Sequence, residues 1–259
     1  LNYGLEETIL AAICLYADIK IYDYNNGEMH MQPNLQTAYN TGLADSRQKV
    51  LRNTYALLGL SMVPTVIGAL IGTNLSFSFL RASPIMGLIL MMVVVYGLMF
   101  AVQRNRYSST GVYLMLAFTF VMGLLLGPLL QAALHLANGA SLIMVAGGAT
   151  ALIFLTMATI GATTKRDLSG IASFTTAGVI VVMVAMIANI FLQIPAMHLF
   201  VCAAFALISS LMIMLQVKVV VDGGETSYVA AALSIYVSIY NLFTTLLQLL
   251  MAFSGNNRN

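Results

Sequence analysis

Five polar side chains in the last apolar run are spaced for a common purpose. Ser234, Ser238, Asn241, Thr245 and Gln248 recur at steps of four, three, four and three. In a helix that spacing puts all five on one face. They could bond across to neighbouring helices, or they could line a path for an ion or small solute; the spacing alone leaves both open. Just ahead of them, Asp222-Gly223-Gly224-Glu225 combines two acids with a turn-forming glycine pair. Elsewhere the chemistry is sparse. His30, His135 and His198 show no metal-ligand spacing, and Cys14 and Cys202 belong to no C-x-x-C. No Ser-His-Asp set, H-E-x-x-H or phosphate-binding loop occurs, so no catalytic residue, cofactor site or metal site is assigned, and the chain is not read as an enzyme.

The most useful negative concerns acids. Asp and Glu are missing from Asn53 to Arg166 and again from Leu168 to Val221. Carboxylates inside a membrane are the usual markers of proton and cation pathways. Here only Asp167, Asp222 and Glu225 stand near the apolar segments, all at their edges.

The elements that must position these residues follow from composition. Of the 259 residues 60% are hydrophobic and 8% charged, with net charge +2. Soluble domains carry about 25% charged residues, so much of this surface faces lipid. No basic patch with interleaved aromatics points to nucleic acid. At the roughly 20 residues a helix needs to cross the hydrocarbon, seven spans are expected. They are Tyr55–Ile71, Ile85–Val102, Gly111–Leu134, Leu142–Ile160, Ile171–Leu192, Ala196–Val217 and Tyr228–Phe253. The fold class is therefore all-α, a polytopic integral membrane protein with a seven-transmembrane-helix bundle. The runs are too long and too evenly apolar for a membrane barrel. Gln193-Ile194-Pro195 predicts a tight hairpin with Pro195 in the first turn of the next helix.

Loop charges set the orientation. Arg47, Lys49, Arg52, Arg104, Arg106, Lys165, Arg166 and Lys218 fall on one side, Arg81 and Arg258 on the other. The first side is cytoplasmic, which puts the N-terminus inside and, after seven full crossings, the C-terminus outside; a re-entrant last segment would put it inside instead, and the alternative stays open. Residues 1–53 read as a polar cytoplasmic tail, flexible from Pro33 onward, 54–253 as the membrane domain and 254–259 as a short tail. Met29 and Met31 are the candidate natural starts, which would make 1–28 an upstream extension; the alternative stays open. Gly123-x-x-x-Gly127, with Thr119 and Gln131 on the same face, is a close-packing stripe. Asn189 and Gln193 are expected to bond across helices, Lys218 to reach the headgroups, and Cys202 to pack as a small hydrophobe.

The stretch Asp222-Gly-Gly-Glu-Thr-Ser-Tyr-Val-Ala-Ala-Ala-Leu-Ser-Ile-Tyr-Val-Ser-Ile-Tyr-Asn-Leu-Phe243 resembles the C-terminal signature of the BAX inhibitor-1 (transmembrane BAX inhibitor motif) family. Val50-Leu-Arg-Asn-Thr-Tyr55, Gly127-Pro128 and Ala188-Asn-Ile-Phe-Leu-Gln-Ile-Pro195 look like its bacterial YccA-like subgroup. The resemblance runs from about Lys49 to Phe253. It implies a bundle with the last helix central, in the bacterial inner membrane, and association with the membrane protease FtsH as substrate and modulator. It also implies a second function, a pH-sensitive calcium leak attributed to a pair of aspartates on the last two helices. Gln216 and Ser238 stand at the matching positions. Neither titrates near neutral pH, so the positions carry over as a helix-pair latch and the leak mechanism does not.

Overall fold

An apolar helix in lipid must satisfy its backbone internally, which makes long uninterrupted helices the default for a chain of this composition. The computed structural model describes residues 33–75, 84–192 and 194–256. Readings that concern Cys14, Met29, His30, Met31, Arg81, Gln193, Arg258 and the 1–28 segment lie outside them.

Seven helices are seen among the described residues: α1 (Pro33–Asn74), α2 (Pro84–Arg104), α3 (Ser109–Leu134), α4 (Gly139–Thr163), α5 (Ser169–Leu192), α6 (Pro195–Asp222) and α7 (Tyr228–Asn256). No strand occurs among them. Six helices are long and apolar enough to cross a membrane; in α2 the stretch Val93–Arg104 is apolar but shorter. The chain is thus an all-helical bundle of six to seven apolar helices suited to a membrane. Each observed helix overruns its expected apolar core by a few residues, because polar end residues continue the backbone ladder into the headgroup zone. The larger difference is at the front. Residues 33–53, expected to be a flexible polar tail, are helical and form the first part of α1. Asn, Gln and Thr lower helix propensity only slightly, and elongation of an existing helix is far easier than its nucleation.

Helix ends follow the local sequence. Pro195 occupies the first turn of α6 after the extended N-cap Ile194. Asn189 departs from expectation: its side-chain oxygen accepts from the Ile194 amide at 3.2 Å and so braces the α5–α6 turn instead of bridging helices. Ser169 opens α5 under Asp167, whose carboxylate accepts from the Ser169 amide at 2.9 Å and hydroxyl at 2.7 Å. Those two donors hold the Asp167 carboxyl below its ordinary range.

The closest approach in the bundle is between α1 and α3. Gly68 and Gly72 face Gly123 and Gly127, two small-residue motifs in register. A Cβ on Gly68 would meet the Phe120 carbonyl, one on Gly123 the Thr65 carbonyl, and one on Gly127 the Gly72 carbonyl. A Cβ on Gly72 would come within 2.5 Å of the Leu124 oxygen. That oxygen has no amide partner at i+4, because position 128 is proline. Gln131 completes the seam, its Nε2 donating to the Thr73 carbonyl at 2.7 Å near the end of α1.

α7 packs against α2, α3, α4 and α6. Val229, Ala232, Leu233, Ile235 and Leu247 are wholly or almost wholly buried along it. Tyr236 is 1% exposed, packs edge-to-face on Phe118, and places its hydroxyl 2.9 Å from Thr65 Oγ1. Each hydroxyl also has a carbonyl within reach, Ser61 for Thr65 at 2.8 Å and Thr119 for Tyr236 at 3.4 Å, so either one can donate in the bond between them. One buried phenol thereby ties α7 to α1.

If the glycine seam holds α1 and α3 together, Gly127→Leu lowers stability by roughly 1–3 kcal/mol, the range for overpacking. Gly59→Ala, where no atom lies within 4 Å of the added Cβ, leaves it unchanged or slightly raised. Thermal unfolding of the detergent-purified variants reads both.

Candidate functional site

The α6–α7 hairpin collects the polar residues of the signature. α6 ends because Gly223 adopts a left-handed conformation, φ 84°. Its amide donates to the Val220 carbonyl at 3.1 Å and that of Gly224 to the Val219 carbonyl at 2.8 Å, the paired closure of a Schellman motif. A Cβ on Gly223 would lie 2.6 Å from Nε of Arg47, whose flexible, exposed side chain covers the turn from α1.

The two acids of the hairpin are engaged locally. Asp222 Oδ1 accepts from Lys218 Nζ at 2.8 Å, one turn back on α6. Lys218 therefore extends toward its helix end, as expected, but onto a carboxylate. Glu225 Oε1 accepts from the Ser227 amide at 2.8 Å, and its other oxygen lies 3.8 Å from Arg106 Nη1. Ser227, 1% exposed, caps α7: its hydroxyl accepts from the Ala230 amide at 3.2 Å and donates to the Arg106 carbonyl at 2.7 Å. Tyr107 OH meets Thr226 Oγ1 at 3.2 Å. The hairpin is thus clasped to the α2–α3 loop by Arg106 and Tyr107, and α1 reaches it through Arg47.

Deeper in the hairpin, Ser238 and Gln216 are brought together. Ser238 Oγ, buried, shares its one proton between Gln216 Oε1 at 3.1 Å and its own-helix Ser234 carbonyl at 3.2 Å. Gln248 accepts from the Cys202 thiol at 3.5 Å, joining α7 to α6 again some three turns away. Between these points Thr245 bonds back to the Asn241 carbonyl at 2.8 Å, and one turn before them Ser234 bonds back to the Ala230 carbonyl at 3.1 Å. The stripe therefore holds two interhelical links, and its other hydroxyls turn to their own backbone. Cys202 is buried as a small hydrophobe with a hydrogen-bonding role, 3.6 Å from His198 Nε2.

Such an arrangement fixes two helices against each other. It has no proton to exchange near neutral pH at Gln216 and Ser238. Among the described residues, no three His, Cys, Asp or Glu side chains gather to hold a metal. Four contributors escaped the sequence reading. The Gly68-x-x-x-Gly72 partner of the α3 stripe and the i,i+4 spacing of His198 and Cys202 were visible as local patterns. The contacts of Tyr236 with Thr65 and of Ser227 with Arg106 join residues more than a hundred positions apart, and no local pattern announces them.

Fold and site together define a polytopic helical membrane protein with hydrogen-bonded rather than acidic contacts between its last two helices. Residues 47–255 match the family described as Inhibitor of apoptosis-promoting Bax1, and the chain belongs to that BAX inhibitor family. It is similar to an uncharacterized protein of Neisseria meningitidis, 44% identical over 82% of this chain and 94% of the relative. It is also 42% identical, over 79% of this chain and 90% of the relative, to the Modulator of FtsH protease YccA of Escherichia coli K12. The same holds for a second Escherichia coli relative, from strain CFT073, named Inner membrane protein YccA. The chain is accordingly a protein of the bacterial inner membrane.

Replacing both latch residues tests the site. In a double-mutant cycle of Ser238→Ala and Gln216→Leu, coupling of about 0.6–1.7 kcal/mol is expected, the range measured for bonds between membrane helices. Gly223→Ala costs about 1–2 kcal/mol from the left-handed backbone alone. Thermal unfolding in detergent measures all of these.

Proposed function

We propose that this protein binds the FtsH protease in the inner membrane and modulates its activity. The observation that carries the reading is the 42% identity, over most of both chains, to a protein named as a modulator of that protease. In this reading α1 to α7 make seven crossings with α7 central, the N-terminus is cytoplasmic and the C-terminus outside. The site acts by shape: the clasped α6–α7 hairpin presents a fixed cytoplasmic edge, Asp222 to Glu225, beside Arg47 and Arg106. The polar segment from Met31 to Asn53 is the handle a processive protease can grip. No catalytic step is assigned to this chain.

The aspartate-gated calcium leak is the alternative, and the Ser238–Gln216 bond weighs against it. The latch carries no charge that acid could remove.

Pull-down of the tagged protein from native membranes is expected to bring down FtsH. Deleting Met31 to Asp45 lengthens the protein's lifetime in cells with FtsH and leaves it unchanged in cells without it. An equal lifetime in both strains for the full chain counts against the handle. In liposomes, calcium flux through the protein is expected to be weak and flat between acid and neutral pH; a steep dependence restores the leak reading.

A further inference from the structure

A cavity of ≈ 840 Å³ lies between α1 and α4, floored by α7 and by the far end of α3. Its lining runs along α1 from Tyr55 to Thr73, which is about 27 Å at the helical rise and close to the ~30 Å hydrocarbon thickness. The groove is open to the side: Val66 and Leu70 of its wall are 57% and 63% exposed. Its walls are apolar, and the Tyr236 and Thr65 hydroxyls within it already bond each other. An occupant therefore needs no hydrogen-bonding groups along its length. At one end Tyr55 and Phe154 meet edge-to-face, centroids 6.4 Å apart, and narrow the groove.

What lies beyond that end identifies the occupant. The groove face of α1 continues by register to Arg52, one turn below Tyr55. α4 runs down from Phe154 to its end at Thr163, followed directly by Lys165 and Arg166. All three basic side chains are exposed, and among the described residues the two ion pairs, Arg106–Glu225 and Lys218–Asp222, use none of them. Asp167, next to them in sequence, is turned to Ser169. An apolar slot in the membrane with free cations at one mouth is complementary to a molecule with long hydrocarbon tails and an anionic head.

We infer that the α1–α4 groove binds an anionic phospholipid, its tails along the slot and its phosphate among Arg52, Lys165 and Arg166. The tails enter sideways from the bilayer, and the long Lys and Arg stems reach up to the headgroup level. This site is independent of FtsH binding, and either can fail without the other.

The test uses the purified full chain in mild detergent. Native mass spectrometry follows binding of phosphatidylglycerol and of phosphatidylethanolamine with identical tails. The anionic lipid is expected to be retained over the zwitterionic one. Arg52→Gln, or Lys165→Gln with Arg166→Gln, reduces that preference on the order of tenfold. Gly59→Leu with Gly147→Leu fills the slot, since neither added Cβ meets an atom within 4 Å, and lowers retention of both lipids. Inorganic phosphate does not displace the bound lipid. Because the filled variant could misfold, a phosphatidylglycerol with a photoreactive tail is crosslinked to the unmodified protein, and the labels are expected on α1 and α4. Equal retention of the two lipids, charge variants that keep the preference, displacement by phosphate, or tail labels on other helices overturns the assignment. So does copurification of a second polypeptide crosslinked to the groove from Gly59→Cys.

Discussion

Polar groups placed among these helices need their partners inside the protein, because lipid offers none; among the described buried side chains only the Thr175 hydroxyl lacks one. That requirement organises the bundle. Thr54, Thr150, Thr156 and Thr159 all return their protons to the carbonyl four residues back. Those few polar side chains that bond outward instead, Tyr236, Ser238, Gln131 and Cys202, each join two helices. In water such bonds would compete with solvent; here they decide which faces meet.

The latch and the clasp divide the labour at the α6–α7 hairpin. Inside the membrane, Ser238 and Gln216 set the spacing of the two helices without placing a charge there. At the edge, where water screens charge and desolvation is small, Glu225 and Asp222 take ionic partners. Those exposed pairs add little stability by themselves. Their contribution is geometric: with Ser227 they fix where α7 begins and which loop it touches.

Much of this was legible beforehand because hydropathy and punctuation are local. Pro195 and Gly223 mark helix ends by backbone chemistry that no neighbour alters, and both stand where expected. Gln216 and Ser238 were paired by the family resemblance, and the structure sets them within hydrogen-bond reach. What misled was polarity without context. Residues 33–53 look solvent-loving and their composition suggests a flexible tail, but a polar segment next to an apolar helix can extend it at little cost. Asn189 was read by side-chain type, whereas its place at the helix end gave it a turn amide to serve. The α1–α4 groove could not be foreseen at all, since it is made of positions about ninety residues apart that share only the property of not filling the space between them.

The glycine contact of α1 with α3 has a mechanical consequence. Where helices meet through side chains, they can slide or roll by swapping rotamers. Gly68, Gly72, Gly123 and Gly127 put main chain against main chain, and a slip of one residue would drive Ala69 or Leu124 into a peptide unit. These two rods are geared together and keep one relative phase. Any change in the width of the lateral slot beside them must come from its other bank, α4.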